Sequence, residues 1–381
     1  MNEHQARDAP TTFNFLRTDD AAFTAMLSAI GEARRSVRLE TYTFSEGELT
    51  RRFLDALAAA RDRGVEVFVL LDAFGSLELR GDYWQPLVER RGKVRWFNPL
   101  SLRRLSYRNH RKLLVCDERV AFIGGFNLAS EYEGDGIHRG WRDCGLEVRG
   151  TTAQALAESF DLLWSKADMR HDLWHPLRRR MKETLTQGVD WTLLLNIPSF
   201  RRHLINRALS SDPTCANRVR IAAAYFLPTR RIRRRLIQLA RDGTRVQLIL
   251  AGRSDIRLAQ LAGHHLYERL LRAGIEIYEY QPQVLHAKLV VVDHAVYLGS
   301  CNLDLRSLSF NYELMARVTD PVVTREACEW FYETLAHCRK VERDTWEKQR
   351  SWWTRLKERA AYFALTRLDL LVARRQLALL N

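Results

Sequence analysis

Residues 108–127 read RNHRKLLVCDERVAFIGGFN, and residues 284–302 read VLHAKLVVVDHAVYLGSCN. Each stretch holds a His-x-Lys pair followed, after four intervening residues, by Asp: His110, Lys112 and Asp117 in one, His286, Lys288 and Asp293 in the other. Each continues through an apolar run into a small-residue turn that ends in Asn, Gly124-Gly-Phe-Asn127 and Gly299-Ser-Cys-Asn302. Residues two apart on an extended chain face the same side, so His and Lys of each pair can address one ligand. Arg111 or Ala287 between them then faces the other way. A single such strand would carry little weight, but the stretch occurs twice.

The flanking sequence repeats with it. Ser36–Phe44, a strand-like run, leads through a helical stretch to Ala60-Arg-Asp-Arg-Gly-Val65 and an apolar run ending at Leu71. Arg218–Phe226 leads in the same way to Ala240-Arg-Asp-Gly-Thr-Arg-Val246 and a run ending at Leu250. A second helix then ends near Gly92 or Gly274, followed by another strand and the His-x-Lys segment. Strands alternating with helices indicate βαβ units. The sequence therefore predicts an α/β protein of two pseudo-repeated halves, each a mixed, largely parallel sheet flanked by helices. The expected divisions are 15–165 for the first half, 166–214 for a basic insertion or linker, 215–325 for the second half and 326–381 for an amphipathic helical tail.

The 381 residues carry 60 Lys plus Arg against 46 Asp plus Glu, a net charge of +14. An anionic partner follows, either nucleic acid or an acidic lipid surface. Only eight of the basic residues are Lys, yet Lys fills both motif positions, where a compact, flexible charge differs from a guanidinium fork. Apolar runs stay well short of the ~20 residues that span a bilayer, and the first ten residues hold no apolar signal core. An integral membrane protein is excluded on this reading, and secretion disfavoured. Six cysteines without a CxxC pair read as reduced thiols with no zinc site.

The residue types suit phosphoryl chemistry. Histidine can attack phosphorus or carry a proton near neutral pH, and Lys and Asn can donate to non-bridging oxygens. Two imidazoles on opposite sides of one phosphate make a nucleophile and an acid. No metal or other cofactor is needed.

Both stretches resemble the phospholipase D superfamily, whose signature is this duplicated motif. Arg108–Lys112, Gly124–Asn127 leading to Glu131-Tyr132, Trp141-Arg-Asp143, and Asn302-Leu-Asp-Leu-Arg-Ser307 leading to Asn311-Tyr-Glu313 are similar to the bacterial cardiolipin synthases, in their short, peripheral class. The resemblance implies one active site between two halves. It implies His110 as nucleophile, through a phosphohistidine, and His286 as general acid and then base, although the sequence alone does not decide which histidine attacks. Lys112, Lys288, Asn127 and Asn302 would bind phosphate. Ser300 would either donate to it or shape the turn. Asp143 and Glu313 would orient the histidines. Asp117 and Asp293 belong to the catalytic motif but read as structural, folded away from substrate.

The implied activity is transfer of a phosphatidyl group between two phosphatidylglycerol molecules, making cardiolipin and glycerol. The alternatives are a hydrolytic phospholipase D and a nuclease. Lipid is favoured by the flanking motifs, by the loop 100–108, where Leu102, Leu105 and Tyr107 alternate with arginines, and by the tail 351–375, which mixes Trp, Tyr and Phe with Arg and Lys. In that tail Phe363, Leu370 and Leu371 fall near helical spacing, as on a helix lying in a membrane interface; an ordinary helix packed on the core would look similar. The expected setting is the cytoplasmic face of the inner membrane, held peripherally through anionic phospholipid. Nucleic acid is the disfavoured partner, and no oligomer is required.

Overall fold

The computed structural model describes residues 11–99, 106–167, 188–198, 203–369 and 371–373. Leu102, Leu105 and their neighbouring arginines, most of the basic insertion, and Leu370 lie outside the described residues.

The first half builds one sheet from β1 (Thr12–Leu16), β2 (Ser36–Thr41), β3 (Glu66–Asp72), β4 (Lys93–Phe97), β5 (Leu113–Cys116), β6 (Val120–Gly124) and β7 (Gly145–Arg149), in the order β1-β7-β6-β5-β2-β3-β4. The second builds another from β8 (Trp191–Asn196), β9 (Arg218–Ala223), β10 (Arg245–Ala251), β11 (Glu276–Tyr280), β12 (Lys288–Val292), β13 (Ala295–Gly299), β14 (Glu313–Val318) and β15 (Cys338–Lys340), in the order β15-β11-β10-β9-β12-β13-β14-β8. Mixed sheets flanked by helices are therefore present twice.

Parallel pairing is narrower than the sequence reading held. It joins β2, β3 and β4, and β9, β10 and β11, while the remaining neighbours run antiparallel. The reason is connection length. The helices Glu48–Asp62 and Arg230–Arg241 provide the crossovers that parallel neighbours need. The His-x-Lys strands β5 and β12 instead return through tight turns to β6 and β13, which only antiparallel strands allow.

Each crossover helix is set by its own sequence. Leu49, Phe53, Leu54 and Leu57 place an apolar stripe on the sheet. The helix stops at Gly64, with φ 86°, and its counterpart stops at Gly243, with φ 96°; both adopt the left-handed conformation that glycine takes without strain.

The two sheets share a core. Leu113, Ile123, Leu146 and Phe160 from the first half belong to the same buried cluster as Leu289, Leu298, Leu314 and Trp330 from the second. Separate clusters fill the space between each sheet and its outer helices. The chain after about residue 320 is not uninterrupted helix. Helix Pro321–Ala336 buries Trp330 and Phe331, β15 then pairs with β11, and helix Trp352–Phe363 packs on helix Arg257–Leu271.

Candidate active site

The His-x-Lys residues lie in extended lead-ins to β5 and β12, and each lead-in is bridged to the other half. Asn109, just before His110, pairs with Tyr312, just before Glu313. Leu285, just before His286, pairs with Arg142, just before Asp143. His110 N–H donates to the Tyr312 carbonyl at 3.0 Å and His286 N–H to the Arg142 carbonyl at 2.8 Å. The register of these bridges sets each histidine against an acid of the opposite half.

His110 Nδ1 lies 3.0 and 3.1 Å from the two Glu313 oxygens. His286 Nδ1 lies 2.8 Å from Asp143 Oδ2. The Cys144 N–H supports that carboxylate through Oδ1, at 2.8 Å. A carboxylate on Nδ1 fixes the ring and leaves Nε2 with its lone pair outward. The Lys288 ammonium lies against the His286 ring, 2.7 Å from Nδ1 and 3.1 Å from Nε2, and 3.9 Å from Asp143. Lys112 donates to the His110 carbonyl at 2.7 Å. All six side chains are buried.

Burial decides the electrostatics. It pushes His110 below the usual histidine range, against the pull of Glu313 and with the help of Lys112. Burial, then Lys288, Lys112 and His110, hold His286 well below it. Both imidazoles are thereby favoured in the neutral form at pH 7. Lys112 is held well down by burial and by Lys288, so the two ammonium groups repel across one small space. Burial raises Asp143 to about 7 against Lys288 and the Cys144 N–H. For Glu313 burial is outweighed by His110, Lys112 and Ser300, and its acidity rises. An anion placed between the two lysines would relieve the repulsion.

The remaining expected residues divide. Ser300 Oγ donates to Glu313 Oε2 and accepts from the Leu314 N–H, so it braces the acid that holds His110. The Asn302 side chain is buried, and its Oδ1 has no hydrogen-bond partner among the described residues. Asn127 is committed within the protein: its Oδ1 accepts from Thr43 N–H at 3.2 Å and its Nδ2 donates to the Tyr132 hydroxyl at 2.7 Å. Asp117 and Asp293 sit at the far ends of β5 and β12. Asp117 accepts from the N–H groups of Arg34, Arg35 and Ser36 at 2.9, 2.7 and 2.9 Å, and Asp293 from those of Asn217 and Arg218 at 3.1 and 2.9 Å. Both occupy left-handed turn positions, with φ 56° and 47°.

The structure adds aromatic walls that sequence reading gave no role. Tyr42 meets His110 edge-on at 5.0 Å between centroids. Tyr132 and Trp141 flank His286 at 5.1 and 5.2 Å, and the Tyr132 hydroxyl lies 3.2 Å from His286 Nε2. Tyr132 and Trp141 fall inside the quoted motifs, five residues after Asn127 and two before Asp143. Spacing alone does not reveal that both converge on a histidine of the other half. Among the described residues, no group of three or more His, Cys, Asp or Glu is arranged to hold a metal.

Comparison with known proteins bears on the whole chain. The major cardiolipin synthase ClsA of Bacillus subtilis (strain 168) is 30% identical over 377 residues, covering 94% of this chain and 76% of that protein. Cardiolipin synthase B of Escherichia coli (strain K12) is 29% identical over 374 residues, covering 94% and 88%. Among solved structures, the phosphatidylserine synthase of Haemophilus influenzae Rd KW20 shares the fold with a TM-score of 0.71 at 14% identity, covering 97% of this chain and 98% of that one. The family described as cardiolipin synthase, PLD-like domain, matches residues 26–164 and 204–335, one match within each half, and the chain belongs to that family.

Proposed function

We propose that this protein is a phosphatidyltransferase that makes cardiolipin from two phosphatidylglycerol molecules. The observation that carries this reading is the crossed pairing, in which each buried histidine is held at Nδ1 by an acid of the opposite half. Two neutral imidazoles with outward Nε2 atoms suit two opposite faces of one phosphorus. His110 Nε2, which has no hydrogen bond among the described residues, attacks the phosphatidyl phosphorus. With the anionic phosphate bound beside it, His286 takes up a proton at Nε2, and as the P–O bond to glycerol breaks it delivers that proton to the departing oxygen. The same histidine then takes the proton of a second phosphatidylglycerol's hydroxyl, whose oxygen attacks phosphorus and releases His110. Lys112, Lys288 and Asn302 neutralise and bind the non-bridging oxygens as charge builds on them. Asp143 and Glu313 hold the rings and balance the imidazolium charge. Asn127 acts through Tyr132, and Asp117 and Asp293 serve the fold.

The finer setting is a peripheral position on the cytoplasmic face of an anionic membrane. No helix among the described residues is long and apolar enough to cross a bilayer. Support for surface attachment comes from the C-terminal helix. Trp352 and Trp353 stack at 3.7 Å and are exposed together with Leu356, Phe363, Leu368 and Leu371, among Arg355, Arg359 and Arg367. That combination suits the interface of an acidic bilayer. The same segment ends beside the site: Arg306 bonds Asp369 at 2.7 Å, and the Tyr107 hydroxyl donates to the Ala373 carbonyl at 2.6 Å, three residues before His110. A lipid-bound helix would thus be tied to the strand that carries the nucleophile. One chain supplies both halves, so catalysis needs no second copy.

The test is incubation of the purified protein with phosphatidylglycerol vesicles, with and without competing nucleic acid. Cardiolipin plus glycerol, lost together with covalent labelling in His110→Ala, is the expected result. Phosphatidic acid as sole product would replace the reading by a hydrolase, and nucleic acid cleavage without lipid turnover would overturn it.

A further inference from the structure

We propose that the Tyr132 hydroxyl guards His286 Nε2 against water, so that the phosphohistidine is passed to a lipid alcohol rather than hydrolysed. The inference rests on the transferase reading above. Asp143 receives the Nδ1 proton of His286, which leaves Nε2 as an acceptor. The phenol oxygen lies 3.2 Å from that nitrogen, on which the Lys288 ammonium also stands, at 3.1 Å. Its orientation is not a matter of chance. Thr43 N–H fixes Asn127 Oδ1, so the amide turns its Nδ2 to the phenol oxygen, fills one acceptor site there, and leaves the phenol hydrogen to point at Nε2. The ring is 2% exposed and stands at 87° to the imidazole, with Trp141 on another side of His286.

Among the described residues, the arrangement exists on one of the two motif histidines only. Five residues past Asn302, where the second half would carry the matching tyrosine, stands Ser307, whose N–H is bonded to Asp304. A phenol on Nε2 has no use for a nucleophile, because it covers the attacking lone pair. It has a use for a base that must discriminate between hydroxyl donors. To be activated, water would have to displace the phenol and take its place on Nε2. Its oxygen would then attack phosphorus, the N–P bond to His110 would break, its proton would go to Nε2, and phosphatidic acid would leave. The glycerol hydroxyl of an acceptor lipid makes the same displacement with the help of its phosphate and acyl anchoring. Water has neither.

The experiment compares wild type with Tyr132→Phe in phosphatidylglycerol vesicles and reads phosphatidic acid against cardiolipin. The ratio should rise about 3- to 10-fold, the factor that one hydrogen bond of ordinary net strength makes in a rate. The labelled phosphohistidine, separated from free lipid, should decay correspondingly faster. Loss of a donor to neutral Nε2 should also move the acid limb of hydrolysis to higher pH. Asn127→Asp gives a second handle, since its carboxylate takes the phenol hydrogen while leaving the ring in place, and should move the ratio in the same direction. A fall in both products at constant ratio, with unchanged intermediate lifetime, would overturn the guard and leave the transferase reading standing. A wild-type protein that forms no cardiolipin would overturn both.

Discussion

Replacing Glu313 by Gln should remove the charge that His110 leans on while keeping the side chain's shape. Glu313 is fully buried, and its oxygens lie 3.0 and 3.1 Å from His110 Nδ1. As Nε2 bonds to phosphorus, the imidazole acquires positive charge opposite this carboxylate. Two unit charges about 3 Å apart attract by about 5 kcal/mol at an effective dielectric of about 20. Each 1.4 kcal/mol is about tenfold in rate, so the covalent step should slow by about 10³- to 10⁴-fold. A loss of about 10⁴ on amidating the buried acid of a serine hydrolase triad is of the same size. The measurement is single-turnover labelling with phosphatidylglycerol vesicles across pH 5–8, normalised to folded protein. The pH profile separates loss of charge from general damage. Burial and Lys112 already hold His110 low, and Glu313 is the main group pulling it up. Without Glu313 the value falls further, so the acid limb of labelling must move to lower pH even as the rate drops. A loss smaller than tenfold, or a limb that moves to higher pH, would refute the charge-stabilising role assigned to Glu313.

Asp117→Ala should act on stability and spare chemistry. It strips the acceptors from three backbone N–H groups and puts alanine at φ 56°, a cost of about 2–3 kcal/mol in urea unfolding; a labelling rate per folded molecule lowered more than a few-fold would contradict the structural role. Glu40→Ala should be costlier, about 3–5 kcal/mol, because it leaves the fully buried Arg111, 3.1 Å from Glu40, without its counter-charge; an unchanged denaturation midpoint would argue against it. Replacing Trp352 and Trp353 together by Ser should weaken flotation with anionic vesicles at least tenfold, since each large apolar side chain contributes about 1.5–3 kcal/mol when buried. Turnover of a short-chain soluble phosphatidylglycerol should stay the same. Loss of soluble turnover would instead make the tail part of the catalytic fold.

What could be read from the sequence follows from what the chemistry repeats. His110 with Lys112 and His286 with Lys288 stand out because the same residue types recur at the same spacing in both halves, as the proposed chemistry on one phosphate would require. The antiparallel return of β5 into β6 was legible too: only three residues separate Cys116 from Val120, far too few for a parallel crossover. The helix-strand rhythm of the preceding segments concealed it. The crossed bridges of Asn109 with Tyr312 and of Arg142 with Leu285 join residues far apart in sequence, and local pattern carries no trace of them. The surroundings of Asn127 are hidden for the same reason. Its place after a glycine turn matches that of Asn302, yet it faces Tyr132 and Thr43, which only the folded chain brings to it.

The two halves differ most behind their histidines, and that difference bears on their division of labour. Behind His110, Arg111 pairs with Glu40, Asn109 Nδ2 donates to Glu40 at 2.7 Å, and Asn109 N–H donates to Asp72 at 2.8 Å, with Arg108 at 3.3 Å from the same carboxylate. The matching positions of the second half are Ala287 and Ala222, packed in the shared apolar core. A network of buried, bonded charges resists displacement more than alanine packing does, because each shift leaves a charge without its partner. The backbone of His110 is thus pinned from behind and its ring from in front by Glu313, as the nucleophilic role proposed for it requires. His286 is held at Nδ1 by Asp143 in the same way, but behind it stands alanine packing, and around its ring stand Tyr132, Trp141 and a hydroxyl, contacts that can give way when an alcohol arrives. Transplanting the polar pair, by Ala222→Glu with Ala287→Arg, should therefore slow transfer to the acceptor more than it slows labelling of His110. Equal effects on the two steps would show that the polar network governs folding alone.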